Sequence, residues 1–194
     1  MRTLIVSVFV TMDGVMEAPG GEPSHPFTGW VEPYFSSELY DDKQQEALDV
    51  ESLLVGRVTY ESLREGWSPG EGVFADKMNA MRKDVVTSTP GDLTWNAVAV
   101  EGDVVAGVQA LKAGDGGPML VIGSRTLVHT LLVNGLVDEL RLLVFPVVLG
   151  SGFRWYPDSR EKFHMALTET RRFPNDVMLL TYVPTTTPGG QSDS

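Results

Sequence analysis

The sequence contains no cysteine, which excludes a disulfide framework, a thiolate metal site and a cysteine nucleophile together. Long apolar runs are missing too: none approaches the roughly 18 residues needed to cross a bilayer. At the N-terminus, "MRTLIVSVFVTMDG" has Asp13 and Gly14 where a secretory leader would carry a small-residue cleavage site. The segment therefore reads as a first strand, and the chain is expected in the cytoplasm, off the membrane. Positive charge is scarce. Lys and Arg number 15 against 26 Asp and Glu, a net charge of −11, so nucleic-acid binding, which depends on neutralising many phosphates, is not expected. A small phosphorylated ligand remains compatible with that field if a few local donors hold it: backbone amides at a helix start, and an arginine. Histidine is rare as well. His25, His129 and His164 lie far apart, with no His-x-x-x-His pair or carboxylate cluster, so no metal is expected. The Gly-x-Ser-x-Gly elbow of serine hydrolases is also absent.

What is present is an alternation of short apolar strands with helical segments, the pattern of an α/β sheet layered by helices. Strands are expected at 4–10, 52–55, 84–87, 98–100 and 119–122. Helices are expected at 38–48, from "GRVTYESL" onward, at 73–81, after an N-cap at Asp103, and over the stripe of Leu127, Val128, Leu131 and Leu132. The run "VDELRLLVFPVVLG" reads as a long strand in which Pro146 implies an edge or a bulge, because proline cannot donate to the ladder. Residues 160–173 and 177–183 form an expected closing antiparallel pair. The whole is one domain over 1–184: a mixed, mostly parallel sheet in three layers, ending in that antiparallel pair, with a solvated tail at 185–194. Between the first strand and first helix, residues 15–37 make a long loop rich in Pro, Gly and aromatics, and loops of that length in a compact domain are usually functional.

Three strand-to-helix junctions could hold phosphate. "GRVTYE" places Gly56, Arg57 and Thr59 at a helix start, where unpaired N–H groups and the helix dipole favour an anion. Thr87 and Ser88 in "TST" follow another strand, and "GSRT" puts Gly123, Ser124, Arg125 and Thr126 at a third. Each alone serves equally well as turn and capping chemistry. Together they are more specific, since strand C-termini in a parallel sheet gather on the edge where ligands bind, and three junctions fit the length of a dinucleotide.

The blocks "LLVGRVTYE", "KDVVTSTPGDLTWN", "VIGSRTLVHTLLVNGLVDELRL" and "FPVVLGSGFRWY" resemble the reductase domain shared by dihydrofolate reductase and the bacterial riboflavin-pathway pyrimidine reductases, and more closely its stand-alone relatives. The resemblance runs from Leu4 to about Tyr182. It implies the dihydrofolate-reductase-like fold, NADPH as reductant, and a homodimer, with 140–148 as a contact strand. Arg57 and Thr59 would then address the pyrophosphate and 2′-phosphate region and Gly56 would permit close approach. Thr87 and Ser88 would line the adenosine side, while Gly123, Ser124, Arg125 and Thr126 would hold the pyrophosphate. A single arginine does not decide NADPH over NADH.

The chain also departs from the family. No carboxylate in the first helix sits in an identifying motif, so no catalytic acid is carried over. Asp13 in "TMDG" matches the Asp-Gly of the pyrimidine reductases and is either a turn residue or a substrate contact and candidate catalytic group. The fused zinc deaminase signature, His-x-Glu with Pro-Cys-x-x-Cys, is absent. In the long loop, Trp30 and Tyr34 either wall a planar heterocycle, with Glu32 as polar partner, or anchor the loop. Two functions follow: a reductase of a small pterin-like, pyrimidine-like or carbonyl substrate, or a binding module that keeps the fold without turnover.

Overall fold

Strand β1, Leu4–Thr11, is buried along nearly its whole length because it occupies the middle of the sheet. The computed structural model describes residues 1–89, 91–159 and 162–186. Helix α1 (Ser37–Leu48), strand β2 (Ser52–Gly56), helices α2 (Arg57–Trp67) and α3 (Val73–Ala80) and strand β3 (Arg82–Val86) come next. Strand β4 (Ala97–Val100), helix α4 (Val104–Ala113), strand β5 (Met119–Ile122), helix α5 (Arg125–Val133) and strands β6 (Glu139–Phe145), β7 (His164–Arg172) and β8 (Met178–Thr185) complete the order. The strands form one sheet, β4-β3-β2-β5-β1-β6-β8-β7. Pairing is parallel from β4 through β6, and β8 lies antiparallel to both β6 and β7.

The period-two alternation of β1 sorts the layers. Leu4, Val6, Val8 and Val10 point into a core shared with Val108 of α4 and Leu127, Val128, Leu131 and Leu132 of α5. Ile5 faces the other way, into a core built with Ala47 of α1, Tyr60 of α2 and Phe74 and Met78 of α3. A third cluster joins Trp30, Val31 and Leu39 to Leu143, Phe145, Phe173, Val177 and Leu179 under the antiparallel half of the sheet. Helices thus cover both faces, as the sequence pattern requires.

Several boundaries move. The expected strand at 84–87 begins at Arg82 and ends at Val86, so Thr87 and Ser88 lie just past it. The long strand stops at Phe145, and Pro146 is outside it rather than on an edge or bulge. The reason is that β6 is paired on both sides, by β1 and β8, and a residue without an N–H ends such a ladder. Both edges of β6 are taken over 140–144, so a second copy cannot add a strand to the sheet there. The closing pair begins at His164, and the tail expected from 185 loses Thr185 to β8, while its residues from 187 lie outside those described. Among the described residues no helix is long and apolar enough to cross a membrane, and no cluster of His, Asp and Glu could hold a metal.

One buried charge belongs to the frame. Lys83 in β3 is 0% exposed; its Nζ donates to the carbonyls of Met78 and Asn79 (3.2 Å to the latter) at the end of α3, and lies 3.8 Å from the centroid of the Trp95 ring. Burial pushes its ammonium down to about 8, and the carbonyls and the ring face are what favour the cation. The folded pKa lies below the ordinary 10.5, so between those values the unfolded chain binds more protons and stability rises with pH. Urea unfolding at pH 7 and pH 10 should show wild type gaining about 2 kcal/mol relative to Lys83→Met, and equal slopes would refute the assignment.

Candidate cofactor-binding site

β3, β2 and β5 are neighbours, so the three junctions singled out in the sequence fall side by side on one edge of the sheet. Two of them interlock. The Gly56 N–H donates to Ser124 Oγ at 3.0 Å, and the Ser124 N–H donates to Thr59 Oγ1 at 3.1 Å. Ser124 Oγ itself donates to the Ile122 carbonyl at 3.1 Å. Gly123 and Ser124 both take left-handed backbone, at φ +57° and +54°. A Cβ on Gly123 would stand 3.3 Å from Thr59 Cγ2, so glycine is demanded by conformation and space alike. Ser124 has no such freedom and stores strain of about 1 kcal/mol, held by its bonds to α2 and β5.

The consequence is electrostatic. Ser36 caps α1 and Asp103 caps α4, but among the described residues no side chain caps α2 or α5, and neither has an acidic residue in its first turn. Two helix starts without a capping side chain, and with them two positive dipole ends, therefore meet where β2 meets β5, an arrangement suited to a pyrophosphate. Thr59 accepts from Ser124, which makes it first a strut between the helices, although its hydroxyl can still donate.

Arg57 bonds Glu61 one turn on, Nε to Oε1 at 2.7 Å, and its guanidinium lies 5.8 Å from the Tyr60 ring centroid. One of its terminal nitrogens is 4.0 Å from the Cβ position of Gly91, which aims it across to the loop after β3. There Thr87 Oγ1 bonds both the amide and the carbonyl of Thr89 at 3.1 Å. Val86, Thr87 and Ser88 form one wall of an open groove of about 560 Å³, and Val100, Glu101, Gly102 and Val104 form the other. The second wall went unnoticed in the sequence, although 98–100 is a strand end like the rest and the same reasoning applied to it would have found Glu101. Arg125 donates from Nε to the Arg154 carbonyl at 2.8 Å with its guanidinium 5.1 Å from the Phe153 ring centroid, tying α5 to the loop after β6. The Thr126 side chain is exposed at the first turn of that helix.

Beyond the cradle, the long loop is stitched to the loop after β6. Met16 N–H donates to the Phe153 carbonyl and Phe153 N–H to Glu17 Oε2, each at 2.8 Å. His25 Nδ1 accepts from the Phe27 amide at 3.1 Å, which puts the proton on Nε2, and Nε2 donates to the Ser151 carbonyl at 3.1 Å. Glu22 reaches α2 by accepting from Ser62 Oγ at 3.4 Å, so the loop roofs the edge of the sheet between its two ends.

The expected substrate residues divide. Trp30 is 6% exposed, donates through its indole N–H to the Glu17 carbonyl at 2.8 Å and meets Phe145 edge-on at 5.3 Å; it is a loop anchor, not a wall for a heterocycle. Tyr34 is half-buried against the same Phe145, and its hydroxyl donates to the Pro146 carbonyl at 3.4 Å. Glu32 stays exposed at the start of a short 3-10 turn. Asp13 is committed to the backbone: Oδ1 accepts from Thr11 Oγ1 at 2.5 Å and the Leu149 amide at 3.3 Å, and Oδ2 from the Gly150 amide at 2.8 Å. The Thr11 hydroxyl, then the two amides, hold its carboxyl below the ordinary range against the opposing effect of burial. At neutral pH it is a clamp between loops with no proton to give.

Comparison with known proteins agrees with this fold. The chain is 24% identical over 193 residues to the uncharacterized protein YyaP of Bacillus subtilis, covering 93% of this chain and 94% of that one. Its fold matches a pyrimidine reductase-like protein from Corynebacterium diphtheriae with a TM-score of 0.69 at 11% identity, over 96% of this chain and 93% of that one. It also matches a diaminohydroxyphosphoribosylaminopyrimidine deaminase/5-amino-6-(5-phosphoribosylamino)uracil reductase from Thermotoga maritima, TM-score 0.65 at 14% identity, over 95% of this chain but 57% of the longer protein. The model of the RibD C-terminal domain family matches residues 2–179, the span that carries strands β1 to β7, the interlocked junctions and the stitched loops, and the chain belongs to that family.

Proposed function

We propose that this chain is a reductase that draws hydride from a reduced nicotinamide dinucleotide, NADPH being the one implied by the family resemblance, and delivers it to a small pterin-like, pyrimidine-like or carbonyl substrate. The observation that carries the reading is the interlock of Gly56, Thr59, Gly123 and Ser124, which aims two uncapped helix starts at one point. The first-turn amides of α2 and α5 would take the pyrophosphate, Arg57 would lie beside it, and Thr87 and Ser88 would face the adenosine. When bound, the dinucleotide supplies the hydride to a C=N or C=O carbon and leaves oxidised, a proton from solvent or a side chain completing the reduction. The protein contributes orientation, and the roofing loop excludes water from the acceptor.

Titration of NADPH fluorescence should show saturable binding, weakened about tenfold in Arg57→Ala through loss of a charge beside the phosphates. Unchanged affinity in that variant would remove Arg57 from the site, and binding of neither NADPH nor NADH by wild type would remove the cofactor. The committed Asp13 favours a second reading, a binding module without turnover. It gains if NADPH binds but no pterin, pyrimidine or carbonyl compound oxidises it. The homodimer belongs to the same proposal, and a monomeric mass in solution scattering would count against it.

A further inference from the structure

The adenosine end of the cradle does not suit a 2′-phosphate. Val86 on β3, Val100 on β4 and Val104 at the start of α4 give the groove apolar sides for a purine, and Thr87 and Ser88 offer hydroxyls. Among the described residues the one charged side chain lining it is Glu101. Asp103, two residues on, adds a second negative charge while capping α4 through the Ala106 amide at 2.8 Å. The cation on the opposite side, Arg57, shares its charge with Glu61.

We propose that Glu101 sets the dinucleotide preference: its carboxylate accepts a hydrogen bond from the 2′-hydroxyl of the adenosine ribose and repels a 2′-phosphate, so the chain binds NADH at least as tightly as NADPH. This rests on the cofactor site proposed above and corrects the reductant that the resemblance implies. A carboxylate is the natural partner of a ribose hydroxyl, an acceptor facing a donor. A 2′-phosphate brings close to two negative charges into the same space at neutral pH. In a solvent-open groove that repulsion amounts to about a fivefold loss of affinity.

The test is equilibrium binding, with no turnover required. Kd for NADH and NADPH is measured from nicotinamide fluorescence on wild type, Glu101→Gln and Glu101→Lys; the side chain is exposed at a strand end, so the variants keep the fold. Wild type is expected to hold NADH at least as tightly as NADPH. Glu101→Gln, which removes the repulsion, should move the ratio of the two constants toward NADPH by about fivefold, and Glu101→Lys, which reverses it, by about 25-fold, with both shifts shrinking at high salt. Tighter binding of NADPH by wild type, or variants that change both constants alike, would overturn the inference and leave the cofactor site standing. Failure of wild type to bind either dinucleotide would overturn the site and the inference with it.

Discussion

Gly123→Val is expected to abolish saturable dinucleotide binding, a rise in Kd of about 100-fold or more, while far-UV circular dichroism shows the sheet still formed. Two costs coincide at this position. The backbone sits at φ +57°, which a β-branched residue adopts only with strain, and its Cβ would press to 3.3 Å from Thr59 Cγ2 before either γ-methyl is placed. Relief requires Thr59 to withdraw, and with it goes the 3.1 Å bond that fixes the Ser124 amide. Ser124 then loses what holds its own left-handed conformation, and the first turn of α5 turns its amides away from those of α2. The stability loss should be modest, about 1–3 kcal/mol, because the core below α5 is untouched. Gly135 supplies the control: it has φ +63° and nothing within 4 Å of an added Cβ, so Gly135→Ala carries the conformational cost alone and should bind the dinucleotide as wild type does. If Gly123→Val also binds normally, the interlock is packing and the phosphate reading fails.

Glycine at such a position is legible from sequence only as a possibility. "GSRT" showed a strand turning into a helix and could not show that Ser124 would reach back to Gly56, 68 residues earlier in the chain. The strands were legible because burial on both faces or on one leaves a simple signature: β1 is apolar but for Ser7 and Thr11, and the stripe of α5 repeats at helical spacing. Pro146 was misplaced because the run around it continues apolar past the point where the ladder stops. Hydrophobicity records burial, whereas pairing on both sides of β6 is a property of β1 and β8. Trp30 and Tyr34 illustrate the same limit in the loop. Aromatic content announced that the loop would be anchored, and which rings are anchors depends on Phe145, more than a hundred residues away. Asp13 looked like a candidate for chemistry until the amides of Leu149 and Gly150 were placed on it. Glu101 shows the reverse error: an exposed acid at a strand end looks like ordinary surface until the wall opposite, Thr87 and Ser88, is in place.

Glu46→Leu should be the most destabilising single substitution proposed for this chain, at about 3–5 kcal/mol in urea unfolding. Glu46 on α1 is 5% exposed and pairs with Lys43 on its own helix and with Arg141 of β6 at 3.0 Å. Lys43 also donates to Ser7 Oγ of β1 at 2.9 Å, and Arg141 bonds Glu139 at 2.6 Å. Removing the central carboxylate leaves a buried ammonium and a partly buried guanidinium facing each other, which costs far more than the pair contributed. Replacing Lys43, Glu46 and Arg141 together by Met, Leu and Leu should recover most of the loss, since no charge is then stranded. The pH dependence carries its own signature. Burial pushes the Glu46 carboxyl up, but Lys43 and Arg141 outweigh it and hold the group below its ordinary 4.5. Its contribution is therefore complete above 4.5 and is lost as pH falls through the folded value, so the gap between wild type and Glu46→Leu narrows only in acid. A gap below about 1 kcal/mol at pH 7 would mean the charges find water and the network is not what docks α1. The functional consequence separates the two ends of the site. α1 follows the roofing loop and is tied through Ser7 and Arg141 to the strands that lead into the stitched loops, whereas the phosphate cradle stands on α2, α5 and β2. Loosening α1 should thus weaken substrate turnover well before it changes dinucleotide affinity.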